Sequence, residues 1–198
     1  MIYETLSDPF CGTLALKIIL MLCLLVSAIP ENMASEEEDV APTYAFVLPW
    51  TIAIDKSMNS GCFLYAQFER GTFLRIGKDN RHNTLYVFIG DPHWQLIEFG
   101  RNYSIQIRFG EREPWKITAT GTSFDPPSNQ PIIGFKLASD FDIAARFLHQ
   151  FMKEEHMEIS LDGINLAWID LSNSYRAGMT LMECQRLVDQ KDRVEIFQ

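Results

Sequence analysis

The sequence has little positive charge. Lys and Arg number 17 and Asp and Glu number 26 among 198 residues, which gives a formal net charge of −9. Proteins that bind nucleic acid neutralise phosphates with clustered basic side chains, and no such cluster occurs in this sequence. An acidic surface is also repelled by anionic lipid head groups. The composition therefore argues against nucleic acid and against an anionic membrane surface as partners.

Catalytic and cofactor motifs are missing as well. The sequence contains no Gly-x-Ser-x-Gly turn, no His-Glu-x-x-His or paired-cysteine metal motif, and no glycine-rich phosphate loop. The four histidines, His82, His93, His149 and His156, have no neighbouring signature of a serine hydrolase, and the last two are interpreted as a solvated helix end. We therefore predict no cofactor and no metal site, and the balance favours a non-enzymatic protein.

Loop carboxylates leave one enzymatic alternative open. Asp91, Glu98, Glu111 and Glu113 lie in predicted loops or at strand ends. The two acids that hydrolyse a glycosidic bond are defined by their separation in space, which the sequence does not reveal. A small envelope hydrolase that acts through such carboxylates is therefore the alternative hypothesis.

An uncharged run of 13 residues, 18–30, lies between Lys17 and the acidic run 36–39. Its length suits a signal-peptide core of ~7–15 residues and falls short of the ~20 that a spanning helix needs. Cleavage is expected after Ala28 or, alternatively, after Ala34. Apolar residues before Lys17 leave an uncleaved amino-terminal anchor as the other interpretation. In both cases we expect a periplasmic or extracellular protein, with membrane contact only if the leader is uncleaved.

The cysteines favour one disulfide bond. Cys11 and Cys23 lie in the predicted leader, which leaves Cys62 and Cys184 in the exported part. In an oxidising compartment an even number of cysteines is expected to pair. Cys62 falls on the apolar face of a predicted strand and Cys184 on the apolar stripe of a predicted helix, so a bond would pin helix to sheet. The alternative is two separately buried thiols.

The pattern of the remaining chain predicts a β-rich domain. We expect an acidic tether over 29–43, one globular domain over 44–190 and a tail over 191–198. Alternation of period two predicts strands over 50–55, 61–69, 72–77, 84–89, 94–99, 103–109, 115–120, 132–137, 157–161 and 166–171. Helical spacing predicts helices over 139–156 and from Ser172 or Ser174 to Val188. The expected class is α+β: a largely antiparallel sheet, partial barrel or sandwich, with two helices in the carboxyl-terminal part.

The stretch from Ile169 to Cys184 reads IDLSNSYRAGMTLMEC. It resembles a pattern in small exported proteins of proteobacteria, in which a strand enters a Leu-x-Gly-Ser turn and a helix with Ala and Leu leads to a Cys. Asn173 stands where that pattern has Gly, and Asn tolerates a left-handed backbone. Ser174 is expected to cap the helix. The resemblance implies export, a cysteine-bearing last helix and a bacterial envelope address, without any particular activity.

Aromatic residues suggest a binding surface. Phe63, Tyr65, Tyr86 and Phe88 fall on outward positions of predicted strands, and Trp94 accompanies a turn. One interpretation is that Tyr65, Tyr86, Phe88 and Trp94 contact a partner; the other is that the strand aromatics form a second core layer beneath helices or another sheet. With catalytic motifs missing, the first favours a non-enzymatic accessory module that binds another envelope protein.

Overall fold

Ten strands and two long helices make up the part of the chain that the computed structural model describes, namely residues 41–123, 130–138 and 141–195. The strands are β1 (Thr43–Val47), β2 (Trp50–Asp55), β3 (Gly61–Gln67), β4 (Phe73–Asp79), β5 (Thr84–Gly90), β6 (Asn102–Phe109), β7 (Trp115–Thr122), β8 (Ile132–Ala138), β9 (His156–Leu161) and β10 (Ile164–Asp170). The helices are α1 (Phe141–Lys153) and α2 (Ser174–Glu195). The predicted leader, most of the predicted tether, residues 124–129, the first two residues of the predicted helix over 139–156 and the last three residues of the predicted tail lie outside the described residues.

All ten strands belong to one antiparallel sheet in the order β1-β2-β3-β4-β5-β8-β7-β6-β9-β10. The sheet is not closed, and β1 and β10 are its edges. The loop over 91–101 connects β5 to β6 across two intervening strands, and α1 connects β8 to β9. The predicted α+β class, with a largely antiparallel sheet and two helices in the carboxyl-terminal part, is confirmed.

Two hydrogen bonds show that the sheet is strongly curled. The indole nitrogen of Trp50, at the start of β2, donates to the carbonyl oxygen of Ser172, just after β10. The indole nitrogen of Trp94 donates to the carbonyl oxygen of Leu166 in β10 at 3.0 Å. Trp50 and Ser172 lie near opposite edges of the ten-stranded sheet, and Trp94 lies in the loop that follows the central strand β5. Such residues meet only if the sheet bends round, as its natural twist favours.

The concave side of the sheet contains the main core, and α1 supplies its aromatic centre. Phe147 packs edge-on against Phe109 and Phe135, with ring centres 5.0 and 5.9 Å apart. Phe151 packs edge-on against Trp50 at 5.2 Å. Because aromatic rings attract each other in edge-to-face geometry and these rings are buried, α1 is fixed inside the curl of the sheet.

The predicted bond between Cys62 and Cys184 is confirmed. It joins β3 to α2 across 122 residues of sequence, and both cysteines are buried. A hydrogen bond at 2.9 Å from the backbone N–H of Cys62 to Oε1 of Gln185 adds a second connection beside it. The last helix is therefore held to an early strand by a covalent and a polar link.

Aromatic rings on the convex side lie flat against glycines of the next strand. Three directly opposite cross-strand pairs do this: Phe73 with Gly90, Tyr86 with Gly77 and Phe88 with Gly134. A Cβ atom built on Gly77 would lie 2.5 Å from the hydroxyl oxygen of Tyr86, and one on Gly134 would lie 2.6 Å from the ring of Phe88. The rings therefore occupy the space that side chains at these glycines would take, and a small second cluster of apolar residues is buried on this side of the sheet.

Two elements differ from the sequence prediction. Residues 94–99 do not form a strand, because Trp94 turns into the core and its loop crosses the end of the sheet. A strand that was not predicted, β1, precedes β2 and pairs with it. Its pattern was hidden because Tyr44 and Phe46 point outward although they are apolar.

Candidate binding groove

The four aromatic residues predicted as an interaction surface do not share one environment. Tyr86 is fully buried, and its hydroxyl oxygen accepts hydrogen bonds from the Arg75 guanidinium at 3.0 and 3.2 Å. Trp94 is also buried, whereas Tyr65 and Phe88 are half-buried on the convex side. A contact with a partner in this fold would therefore have to use Tyr65 and Phe88, and this part of the surface stays a prediction.

The Arg75 guanidinium contacts several side chains on the convex side of the sheet. It lies 3.7 Å from the ring centre of Phe63 and forms an ion pair with Asp55, in addition to its bonds to Tyr86. Burial raises the pKa of Tyr86 to about 12, although the Arg75 charge acts in the opposite direction. This group of side chains is buried and mutually satisfied, which is the character of a structural cluster.

Two buried aspartates orient exposed histidines. Asp79 accepts from His82 Nδ1 at 2.8 Å and from Lys136 Nζ at 3.1 Å. Burial alone would raise the pKa of Asp79, but these partners outweigh it and lower the pKa to about 2. Asp91 contacts His93 Nδ1 at 2.9 Å in the same manner, and hydrogen bonds to the carboxylate lower its pKa despite burial.

The carboxylates on which the hydrolase alternative depends have different partners and surroundings. Asp91 bonds the Thr72 hydroxyl and the backbone N–H of His93, and Glu98 pairs with Arg101 at 3.1 Å. Glu111 and Glu113 are exposed in the link between β6 and β7. A general acid for glycoside hydrolysis needs a raised pKa, so the lowered pKa of Asp91 is opposite to that role.

The remaining histidines lie on different elements. Helix α1 ends at Lys153, so His149 is on the helix while His156 begins β9. Among the residues that the structure describes, no three His, Cys, Asp or Glu side chains come together to hold a metal ion. No helix in the described ranges is both long and apolar enough to cross a membrane.

A groove of about 460 Å³ lies where β10 leads into α2, and we call it the β10–α2 groove. Its lining consists of Met152, Glu154, Glu155, His156, Trp168, Asp170, Leu171, Ser172, Asn173, Ser174 and Tyr175. Trp168 is 58% exposed and Tyr175 is 52% exposed. Both rings line the same groove, and exposed apolar residues grouped in one place mark interaction sites, whereas singly exposed ones do not.

Local structure explains why both rings face outward. In β10 the neighbours of Trp168, Ala167 and Ile169, are buried, so the alternation of the strand turns Trp168 to the convex side. Trp168 is held there by His156, whose ring stacks on it with centres 5.6 Å apart and planes 19° apart. Tyr175 is the second residue of α2, and its ring faces the Lys153 ammonium at 5.5 Å.

The turn into α2 is formed by Asn173 and Ser174. Asn173 adopts a left-handed backbone with φ of 62°, the conformation that a Gly in the same place would take most easily. The carbonyl oxygen of Asn173 accepts the first helical bond, from the N–H of Ala177 at 3.0 Å. The helix cap expected at Ser174 therefore falls one residue earlier, and Ser174 is the first residue of the helix.

The described residues that line the groove are acidic in balance, since they include three carboxylates and no lysine or arginine. Glu154 pairs with Arg112 outside the lining at 2.5 Å. Asp170 accepts from the N–H and the hydroxyl of Ser172 at 2.8 and 2.7 Å. Within the described part of the chain, no side chain bonds to the carboxylate of Glu155, which is exposed. The groove therefore presents negative charge beside two aromatic rings.

The turn between β1 and β2 adjoins the groove. The side-chain amide of Asn173 donates to the carbonyl oxygen of Leu48 at 2.8 Å. Leu48 is 80% exposed, and Phe46 before it is 72% exposed. Apolar surface thus continues from the groove onto the other edge of the sheet.

Sequence reasoning missed Trp168 and Tyr175. One signal was available, because Trp168 occupies the outward position of an alternating strand between two apolar residues. No family model, curated protein or solved structure matches the chain. The function is therefore argued from the chemistry of the groove.

Proposed function

We propose that the protein is an exported, non-enzymatic binding module of the cell envelope, and that it holds a partner protein through a lysine- or arginine-bearing segment in the β10–α2 groove. One observation carries this proposal: the exposed rings of Trp168 and Tyr175 lie in a groove whose described lining residues include three carboxylates and no lysine or arginine. Exposed aromatic rings that become buried on association supply a large share of interface energy.

The chemistry of the groove selects a cation. A lysine or arginine side chain would gain from the Glu155 carboxylate and from the faces of the two rings. Tyr175 already faces one ammonium group, that of Lys153 at 5.5 Å, so its ring accommodates a positive charge. The net charge of −9 would draw a basic segment towards the protein as a whole.

A protein segment suits the surroundings of the groove better than a small cation alone. β10 is an edge strand, and its only charged residue is Asp170 at the end. Edge strands that lack Lys, Pro or buried charge are open to pairing with an extended segment. The exposed side chains of Leu48 and Phe46 extend the apolar area that such a segment would cover.

Export is supported by the disulfide bond, since such bonds persist in oxidising compartments and are rare in the cytosol. The stretch that resembles exported proteobacterial proteins, Ile169 to Cys184, also supplies one wall of the groove. The hydrolase alternative is not favoured by the separate placement of Asp91 and Glu98 described above.

Photo-crosslinking from the native envelope tests the proposal. The variant Tyr175→benzoylphenylalanine is expected to capture a partner, whereas Phe99→benzoylphenylalanine, at a more exposed aromatic position in the β5–β6 loop, is not. The linked peptide of the partner is expected to contain Lys or Arg, and its yield should fall with salt because exposed charge pairs are screened. Equal capture at Phe99, or an acidic linked peptide, would contradict the proposal.

A second test uses two synthetic peptides of equal length and apolar content, one carrying lysine and arginine and the other glutamate. Only the basic peptide is expected to change the fluorescence of Trp168. The variant Trp168→Phe, measured alongside, identifies which signal comes from the groove. Equal binding of the acidic peptide would contradict the proposal that the groove binds a basic segment.

A further inference from the structure

A second cavity, of about 390 Å³, lies between β5, α1 and α2 and is separate from the β10–α2 groove. Its walls are apolar: Leu85 comes from β5, Leu148 from α1, and Leu181 and Met182 from α2. Its volume lies within the ~300–1,000 Å³ of small-molecule sites, which are mostly apolar with a few placed polar groups. The cavity thus has the size and surface of a site for an apolar ligand.

The lining of this cavity carries a positive charge, whereas the lining of the β10–α2 groove carries negative charges. Among the described residues that line it, Lys78 is the only charged one, and none carries a carboxylate. In a protein with net charge −9, a cavity whose one charged wall residue is a lysine is complementary to an anion. The Lys78 ammonium lies 3.7 Å from the carboxylate of Asp189, beyond hydrogen-bond distance, so its donors are not consumed by that pair.

The walls are fixed in place by contacts on both sides. Cys62 contributes to the lining, and its bond to Cys184 holds α2 against β3. Gln185, which also lines the cavity, accepts from the backbone of Cys62 at 2.9 Å and donates to Asp189 at 2.6 Å. A cavity with walls held in this way costs little reorganisation when a ligand enters.

We propose that this cavity binds a single-chain anionic amphiphile of the fatty-acid class, with its hydrocarbon chain against the leucines and its carboxylate at Lys78. Half-buried Leu85 and Leu148 line the cavity, and a hydrocarbon chain would remove their apolar surface from water. The ligand carboxylate replaces Asp189 as the partner of Lys78. This site is independent of the β10–α2 groove and of any partner bound there.

Calorimetric titration of the full chain tests the site with three probes below their micelle concentrations: dodecanoate, methyl dodecanoate and dodecyltrimethylammonium. Dodecanoate is expected to bind about tenfold more tightly than its uncharged ester, as a charge-assisted hydrogen bond predicts, and the cationic probe is expected to bind weakest. Absence of dodecanoate binding would overturn the proposal. So would equal affinity for the acid and its ester, or a preference for the cation or for a basic peptide.

Two charge variants move the affinity in opposite directions. Lys78→Gln is expected to weaken dodecanoate about tenfold without changing the ester, whereas Asp189→Asn removes the competing carboxylate and is expected to tighten dodecanoate. Both residues are partly exposed, so the fold is expected to survive. Unchanged affinity in both variants would show that Lys78 does not hold the ligand.

A matched pair of bulky substitutions locates the site. Ala145→Trp places a large ring on an exposed residue of the lining and is expected to abolish binding of acid and ester alike. Ile143→Trp, at an exposed position two residues earlier on α1 and outside the lining, is expected to leave both affinities unchanged. Equal effects of the two variants would place the ligand elsewhere.

Discussion

The indole nitrogen of Trp50 donates a hydrogen bond to the carbonyl oxygen of Ser172 at 2.9 Å, across 122 residues of sequence. The bond between Cys62 and Cys184 spans the same separation. Both connect the first strands to the segment that begins at the end of β10, where the groove and α2 lie. The site therefore depends on long-range links that hold the two ends of a curled sheet together.

Loss of the disulfide bond is expected to lower the free energy of unfolding substantially. Closing so long a loop restricts the unfolded chain, and the chain-entropy model gives about 4–5 kcal/mol as the upper value for Cys62→Ala with Cys184→Ala. Urea unfolding with and without reductant measures the change. A loss below about 1 kcal/mol would contradict the argument, and two free thiols in alkylated, unreduced native protein would refute the bond.

Substitution of a glycine beneath an aromatic ring is expected to destabilise the fold. Gly134→Ala places a Cβ against the ring of Phe88, and overpacking of this kind costs about 1–3 kcal/mol. Chemical unfolding measures the loss. A smaller partner, Phe88→Leu, should recover part of it in the double variant, because the two residues are directly opposite. Ser104→Ala, at an exposed position of β6, serves as the control. Additive effects of Gly134→Ala and Phe88→Leu would contradict the packing of the Phe88 ring against Gly134.

Stability is expected to fall in acid through Asp79. Its pKa in the folded protein is about 2, below the ordinary 3.8, so its contribution is present above about pH 4 and is lost as the pH falls towards 2. The full contribution is about 2 kcal/mol. Asp79→Asn should flatten the dependence of unfolding free energy on pH over this range. An unchanged slope, compared with the exposed control Asp162→Asn, would contradict the role of Asp79.

Removal of the groove aromatics is expected to weaken partner binding without unfolding the protein. Trp168→Ala should reduce affinity for the captured partner about thirtyfold, the effect of a central interface residue worth about 2 kcal/mol. Its thermal stability should change little, because more than half of the side chain is exposed. Phe99→Ala, which removes an exposed aromatic ring elsewhere, is the control. Equal losses in both variants would rule out the groove as the contact.

Much of the fold could be predicted from the sequence, because burial on one face of a strand imposes alternation. The predicted strand over 50–55 coincides with β2, and the cysteines fell on the faces that bring them together. The strand predicted from alternation at residues 94–99 is wrong, because the Trp94 ring enters the core from a loop there. It also failed at β1, where apolar residues face both ways.

The groove could not be predicted in the same way. Trp168 lies in β10 and Tyr175 in α2, and their joint relation to Leu48 of the β1–β2 turn arises only because the sheet curls until its edges approach. Sequence alternation identifies which side of a strand faces out, but it does not report what lies beside it in space. Tyr86 and Trp94 were predicted to lie on an interaction surface, and the sequence alone could not show that both are buried by neighbouring residues.

The opposing aromatic and glycine residues of the convex side have a consequence for how the sequence can change over evolution. In each of the three pairs, Phe73–Gly90, Tyr86–Gly77 and Phe88–Gly134, one member fills the space that the other leaves. A larger residue at the glycine is tolerated only once the ring opposite has become smaller, so substitutions at the two positions should arrive together. Descendants of this chain should therefore show covariation between these partners, with a larger residue at the glycine position accompanied by a smaller one opposite.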